Sequence, residues 1–109
     1  MDCLFCKIAK KELPSEIVFE DEGFFAFKDI NPKAEFHILI IPKKHIISID
    51  HLEESDKELA GELILTASKI AKEKKLAGYK LIFNVGLQAG QTVEHIHLHL
   101  LSGRLAEMP

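Results

Sequence analysis

The stretch that most constrains this chain is His95-Ile96-His97-Leu98-His99-Leu100-Leu101. Histidine recurs at every second position, with apolar residues between. A period of two is the signature of a β-strand, so the three imidazoles share one face and Ile96, Leu98 and Leu100 share the other. The apolar face must meet a core, which requires a sheet with a covering layer. The other face is a row of imidazoles, groups that titrate near neutrality and serve as ligand, nucleophile or acid/base. A strand rises ~3.3 Å per residue, which separates neighbouring histidines by ~6.6 Å and the outer two by ~13 Å. Zn–N bonds are only ~2 Å long, so three histidines on one straight strand cannot close on one metal. The pattern instead predicts one catalytic imidazole, held in tautomer and orientation by its neighbours.

The preceding chain supplies a sheet and its cover. Cys3-Leu4-Phe5-Cys6 opens a short helix reaching about Lys11, with Phe5 and Ile8 buried. Its C-x-x-C reads in two ways, as half of a zinc site or as small apolar residues on a first helical turn. A redox pair would follow a strand, and nothing precedes this one. Leu13-Pro14-Ser15 breaks the helix. Ile17–Phe19 and Phe24–Ile30 read as a hairpin around Glu20-Asp21-Glu22-Gly23. Asp29, at the end of the second strand, either accepts from a ribose diol or supports the Asn31-Pro32 turn. Phe36–Ile41 is a nearly all-apolar, central strand ended by Pro42. In the cationic exit that follows, Lys43 and Lys44 read as solvated, and His45 faces the histidine cleft or the surface.

Ser55-Asp56-Lys57-Glu58 has the form of a capping box. Leu59, Leu63, Ala67, Ile70 and Ala71 then make one helical stripe running to about Lys75. Tyr79–Val85 is the fourth strand. Gly86-Leu87-Gln88-Ala89-Gly90-Gln91-Thr92 is a glycine-bracketed loop feeding the histidine strand, where backbone amides could cradle a phosphate. It is not a P-loop. The order of short helix, three strands, long helix and two strands predicts a single α+β domain over 1–109, with a mainly antiparallel five-stranded sheet.

Bulk properties narrow the function. The net charge of -3 leaves no basic footprint for a nucleic-acid polymer. No apolar run approaches the ~20 residues that span a bilayer. The Met1-Asp2-Cys3 start shows no secretory signal, and two cysteines are too few for a disulfide scaffold, which points to the cytoplasm.

These residues resemble the histidine-triad (HIT) family, most closely its Hint branch. The family motif, His-φ-His-φ-His-φ-φ, is matched at every position from His95 to Leu101. The likeness extends through Asp29-Ile30-Asn31-Pro32, Ile41-Pro42-Lys43-Lys44-His45, Asn84, Ala89-Gly90-Gln91-Thr92 and Gly103-Arg104. It implies a homodimer whose two sheets join into one of ten strands, and hydrolysis of AMP or GMP phosphoramidates. By the same resemblance His97 is the nucleophile, forming a nucleotidyl-histidine that water resolves, and His95 orients it. Asp29 and Ile30 would contact the ribose. Asn84, Gly90, Gln91 and Thr92 would hold the phosphate and leaving-group side, with His99 on a phosphate oxygen and His45 near the leaving group. Some relatives carry a structural zinc, whose ligands here would be Cys3, Cys6, His45 and His95; a zinc-bound His45 is no free proton donor. Glu94 departs from a usual aromatic, Ser102 from a common glycine, and the chain stops at Ala106-Glu107-Met108-Pro109 without the Hint tail, which leaves side-chain specificity open. A dinucleoside polyphosphate hydrolase of the Fhit type and a nucleotide-binding scaffold are the alternatives; His99 favours Hint.

Overall fold

The structure, a computed structural model, describes residues 3–105. The Met1-Asp2 start and the tail from Ala106 to Pro109 lie outside the described residues. A short helix α1 (Leu4–Ala9) precedes β1 (Ile17–Glu20), β2 (Phe24–Lys28) and β3 (Ala34–Pro42); the long helix α2 (Lys57–Glu73) then leads to β4 (Lys80–Ile82) and β5 (Leu98–Leu105). The strands form one sheet in the order β1-β2-β3-β5-β4, and every pairing is antiparallel. This is the α+β architecture expected, and no helix among the described residues is long and apolar enough to cross a membrane.

Alternation along the strands sorts side chains into two layers. On one face Phe24, Ala26, Ile38, Ile40, Leu98 and Leu100 pack against Leu63, Ala67 and Ile70 of α2. Full burial of such a side chain is worth about 1.5–3 kcal/mol, so this layer anchors β5 firmly between β3 and β4. On the other face Phe25, Phe27, Leu39 and Ile41 pack beneath Phe5 and Ile8 of α1. His37 and His99 stand on this second face, because β3 and β5 pair in register with Leu39 opposite His99 and His37 opposite Leu101.

Several local expectations are revised. The β1–β2 turn is held by the Asp21 carboxylate, which accepts from the amides of Gly23 and Phe24 at 2.9 and 2.8 Å. The capping box, Glu53 with Asp56, lies two residues earlier than the Ser55 pattern indicates. Asp56 accepts from the Glu53 amide at 2.9 Å and from Lys44 Nζ at 2.7 Å, so Lys44 is ion-paired rather than simply solvated. Lys44 holds this buried carboxyl below its usual range. Thr66 joins the buried stripe of α2 by donating its hydroxyl to the Glu62 carbonyl, which hides the polar group. The β5 ladder begins at Leu98, not at His95. Upstream of it the chain is fixed by single bonds: the Ile96 amide donates to the Ile46 carbonyl at 2.6 Å and the His95 amide to Val93 at 2.9 Å.

Candidate active site

The triad is not the open row that alternation predicts. His95 is fully buried and His97 is 9% exposed, because α1 covers this face and places Phe5 edge-on to both rings. The rings of His97 and His99 lie 5.0 Å apart between centroids. Each triad imidazole has one nitrogen committed to a neighbour, and that bond decides what the other nitrogen offers.

His97 Nδ1 lies 2.8 Å from the His95 carbonyl. A carbonyl only accepts, so Nδ1 carries the proton and Nε2 keeps a free lone pair. His95 Nε2 lies 2.8 Å from the Pro42 carbonyl, which leaves Nδ1 bare toward Cys3. For His99 the chain of donors runs through a residue that the sequence reading placed in a strand and gave no role, His37. The Lys33 amide donates to His37 Nδ1 at 3.0 Å, so His37 Nε2 holds the proton and donates to His99 Nδ1 at 2.9 Å. His99 therefore carries its own proton on Nε2. Asp29 Oδ2 approaches His37 Nε2 at 3.4 Å, while Asp29 Oδ1 accepts from the Asn31 amide at 2.8 Å. The turn-supporting reading of Asp29 is thus satisfied by one oxygen.

Burial lowers the basicity of His37, His95 and His97, and it pushes His99 down to about 4, aided by the charges His97 and His37 would carry. The cluster is neutral near neutrality, as a nucleophilic imidazole requires.

His97 and His99 open onto a cleft of about 480 Å³. Its lining includes the apolar Phe5, Ile8, Phe27 and the 90% exposed Ile30, together with Asp29, Asn84, Gly90 and Thr92. Asn84 Nδ2 is bound to the Ala89 carbonyl at 2.9 Å. The glycine loop departs from the expected amide cradle: the Ala89, Gly90 and Gln91 amides donate inside the loop to Gly86 and Leu87. Gly86 and Gly90 take positive φ, 86° and 92°, which makes this tight loop. Gln91 is buried and does not line the cleft. Its side chain accepts from the Gly86 amide and donates to the Ile47 and Val93 carbonyls, so it braces the loop.

His45 is outside this cleft as well, and stands with the cysteines. Cys3 Sγ lies 3.2 Å from His95 Nδ1, and Cys6 Sγ lies 3.5 Å from His45 Nδ1 and 3.6 Å from His95 Nδ1. All four donor atoms fall within 4.8 Å of one another. A tetrahedral zinc with bonds of ~2.0–2.3 Å has ligand–ligand edges of roughly 3.3–3.8 Å, so the donor set and its spacing fit that ion. The Pro42 carbonyl supplies the outer-shell bond that aims a ligating histidine.

Residues 2–108 match the family described as scavenger mRNA decapping enzyme C-term binding. The chain is 44% identical over 101 residues to protein HitA of Neisseria gonorrhoeae, covering 92% of this chain and 94% of that one. Among solved structures it is similar to a HIT family hydrolase from Legionella pneumophila, with 50% identity, a TM-score of 0.94, and coverage of 99% and 98%. A histidine triad protein from Clostridium difficile matches at 41% identity and a TM-score of 0.94, covering 100% of this chain and 96% of that one. With its fold and nearly its whole length shared with these proteins, and the His95–His97–His99 run in its own sequence, the chain belongs to the histidine-triad family.

Proposed function

We propose that this protein is a hydrolase of the Hint type, cleaving the P–N bond of purine nucleoside phosphoramidates at the α-phosphorus. The observation that carries the reading is the tautomer of His97. Its Nδ1–H is tied to the His95 carbonyl at 2.8 Å, so an unprotonated Nε2 is available beside the cleft. In the first step the Nε2 lone pair attacks phosphorus, the P–N bond breaks toward the amine, and the amine takes a proton from water at the cleft mouth. In the second step water attacks phosphorus, the P–Nε2 bond electrons return to the imidazole, and the proton from water passes to solvent. The Nε2–H of His99 is a fixed donor for a phosphoryl oxygen that gains charge in both steps, and such preset donors act strongly in a dry site. Thr92 adds a hydroxyl to the lining of the cleft.

The base, AMP or GMP alike, would lie among Phe5, Ile8, Phe27 and Ile30, an apolar slot that contacts a purine without reading its edges. Asp29 and Ile30 would bound the ribose. Cys3, Cys6, His45 and His95 would hold a structural zinc, which when bound ties α1 to the segment carrying His97. That role removes His45 from proton transfer. The protein would be a cytoplasmic homodimer. Of the two edge strands, β1 and β4, the short β4 with its exposed Leu81 would be the one that joins two sheets into one of ten strands.

The test is turnover of a fluorogenic adenosine phosphoramidate by the wild type beside His97→Ala, with AMP binding measured in parallel. The reading predicts turnover that is lost in the variant while AMP is still bound. AMP binding with no turnover by the wild type would favour the scaffold alternative, and faster turnover of a diadenosine polyphosphate would favour the Fhit type.

A further inference from the structure

A second hollow, of about 500 Å³, adjoins the cleft. Leu4, Thr92 and Val93 line both, so the two share a rim. Beyond that rim the second hollow is bounded by Ile47, by His45 and by Glu94. His45 turns Nδ1 toward Cys6, and two thiolates would cancel the charge of a zinc ion held there. Glu94 is exposed and has no hydrogen-bond or ion-pair partner among the described residues. Its carboxylate is therefore the one formal charge among the hollow's described lining residues. Glu94 precedes His97 by three residues, a chain span of at most ~11 Å. A short alkyl tether on a phosphorus at His97 would bring a terminal group to this carboxylate.

We propose that this hollow seats the leaving group and that Glu94 selects leaving amines bearing a second, cationic nitrogen. The inference rests on the phosphoramidase reading. A rim-exposed carboxylate in water discriminates modestly, by up to about 1 kcal/mol, which corresponds to about fivefold.

Two adenosine phosphoramidates test it, one with cadaverine as leaving amine and one with hexylamine, of equal length but neutral at its end. The kcat/KM ratio of the cationic to the neutral substrate should be about three- to fivefold higher in the wild type than in Glu94→Gln. It should fall further, below that of Glu94→Gln, in Glu94→Lys, and the wild-type advantage should shrink with added salt. Comparing ratios between variants removes the intrinsic reactivity of the two amines. A ratio unchanged by Glu94→Gln overturns the proposal. The same two compounds are titrated into His97→Ala and His97→Ala/Glu94→Gln, where no chemistry occurs. If the wild type cleaves neither compound, the phosphoramidase reading fails, and the Kd ratio still decides the role of Glu94: it drops about three- to fivefold with Glu94→Gln if the proposal holds and stays fixed if it does not.

Discussion

Replacing His99 by asparagine should flatten the acid side of the stability profile. In the folded protein His99 accepts from His37 at 2.9 Å and is desolvated by burial, so its pKa is about 4 against an ordinary 6.5. Above the unfolded value both states are neutral at this site and it contributes nothing to the pH dependence. As pH falls below 6.5 the unfolded chain takes up a proton that the folded chain refuses, and stability declines until the folded pKa is passed. At about pH 5 the full shift corresponds to about 2 kcal/mol. His99 is partly exposed, so screening lowers the expected size to about 1 kcal/mol. In His99→Asn the amide oxygen can replace Nδ1 as acceptor for His37, and no proton is taken up. Urea denaturation of both proteins at about pH 7.5 and about pH 5 should show the wild type losing about 1 kcal/mol more than the variant. Any pH dependence of a zinc site is common to both and cancels. Equal losses in the two proteins would refute the desolvated, neutral His99 on which the donor assignment depends.

Two further outcomes follow from the geometry. Gly103 sits at φ +88° beside the β3–β5 bulge, where an added Cβ would lie 2.5 Å from Glu35 Oε1 and 2.8 Å from Glu35 Cβ, displacing the carboxylate that accepts from the Arg104 amide at 2.7 Å. Gly103→Ala should destabilise by about 2–4 kcal/mol in urea denaturation, and a loss below about 1 kcal/mol would contradict the strain. The protein purified without chelators should contain zinc, lose it in Cys6→Ala, and show a Tm that falls with a strong chelator and recovers with zinc; cobalt replacement should give the visible bands of a tetrahedral thiolate site. Metal-free protein with a chelator-independent Tm would contradict the zinc assignment.

The sheet was legible because period two and period 3.6 occupy separate segments of this chain, and each apolar stripe has one layer to meet. What pattern alone could not supply is the partner across the sheet. His37 looks like one more residue of an apolar strand, and its role appears only when β3 and β5 pair and set it against His99, 62 positions away. The cysteines show a similar limit: their spacing is local, but Cys3 meets His95 across 92 positions, through packing of α1 on the sheet. The family resemblance assigns Gln91 to the phosphate and leaving-group side. Here the Ile47 and Val93 carbonyls claim its amide first, at 2.6 and 3.1 Å. The expected strand start at His95 fails because the β3–β5 ladder stops at Ile40–Leu98, and the Ile96 amide donates to the Ile46 carbonyl beyond β3 instead.

The most direct test of the central claim is to trap the covalent intermediate. Protein mixed with excess adenosine phosphoramidate is quenched in alkali, where a phosphorus–imidazole bond survives, and the peptides are read by mass spectrometry. The account predicts an adenylyl group on His97 in the wild type and none in His97→Ala. Turnover with no adduct at His97, or an adduct on another residue, would contradict it.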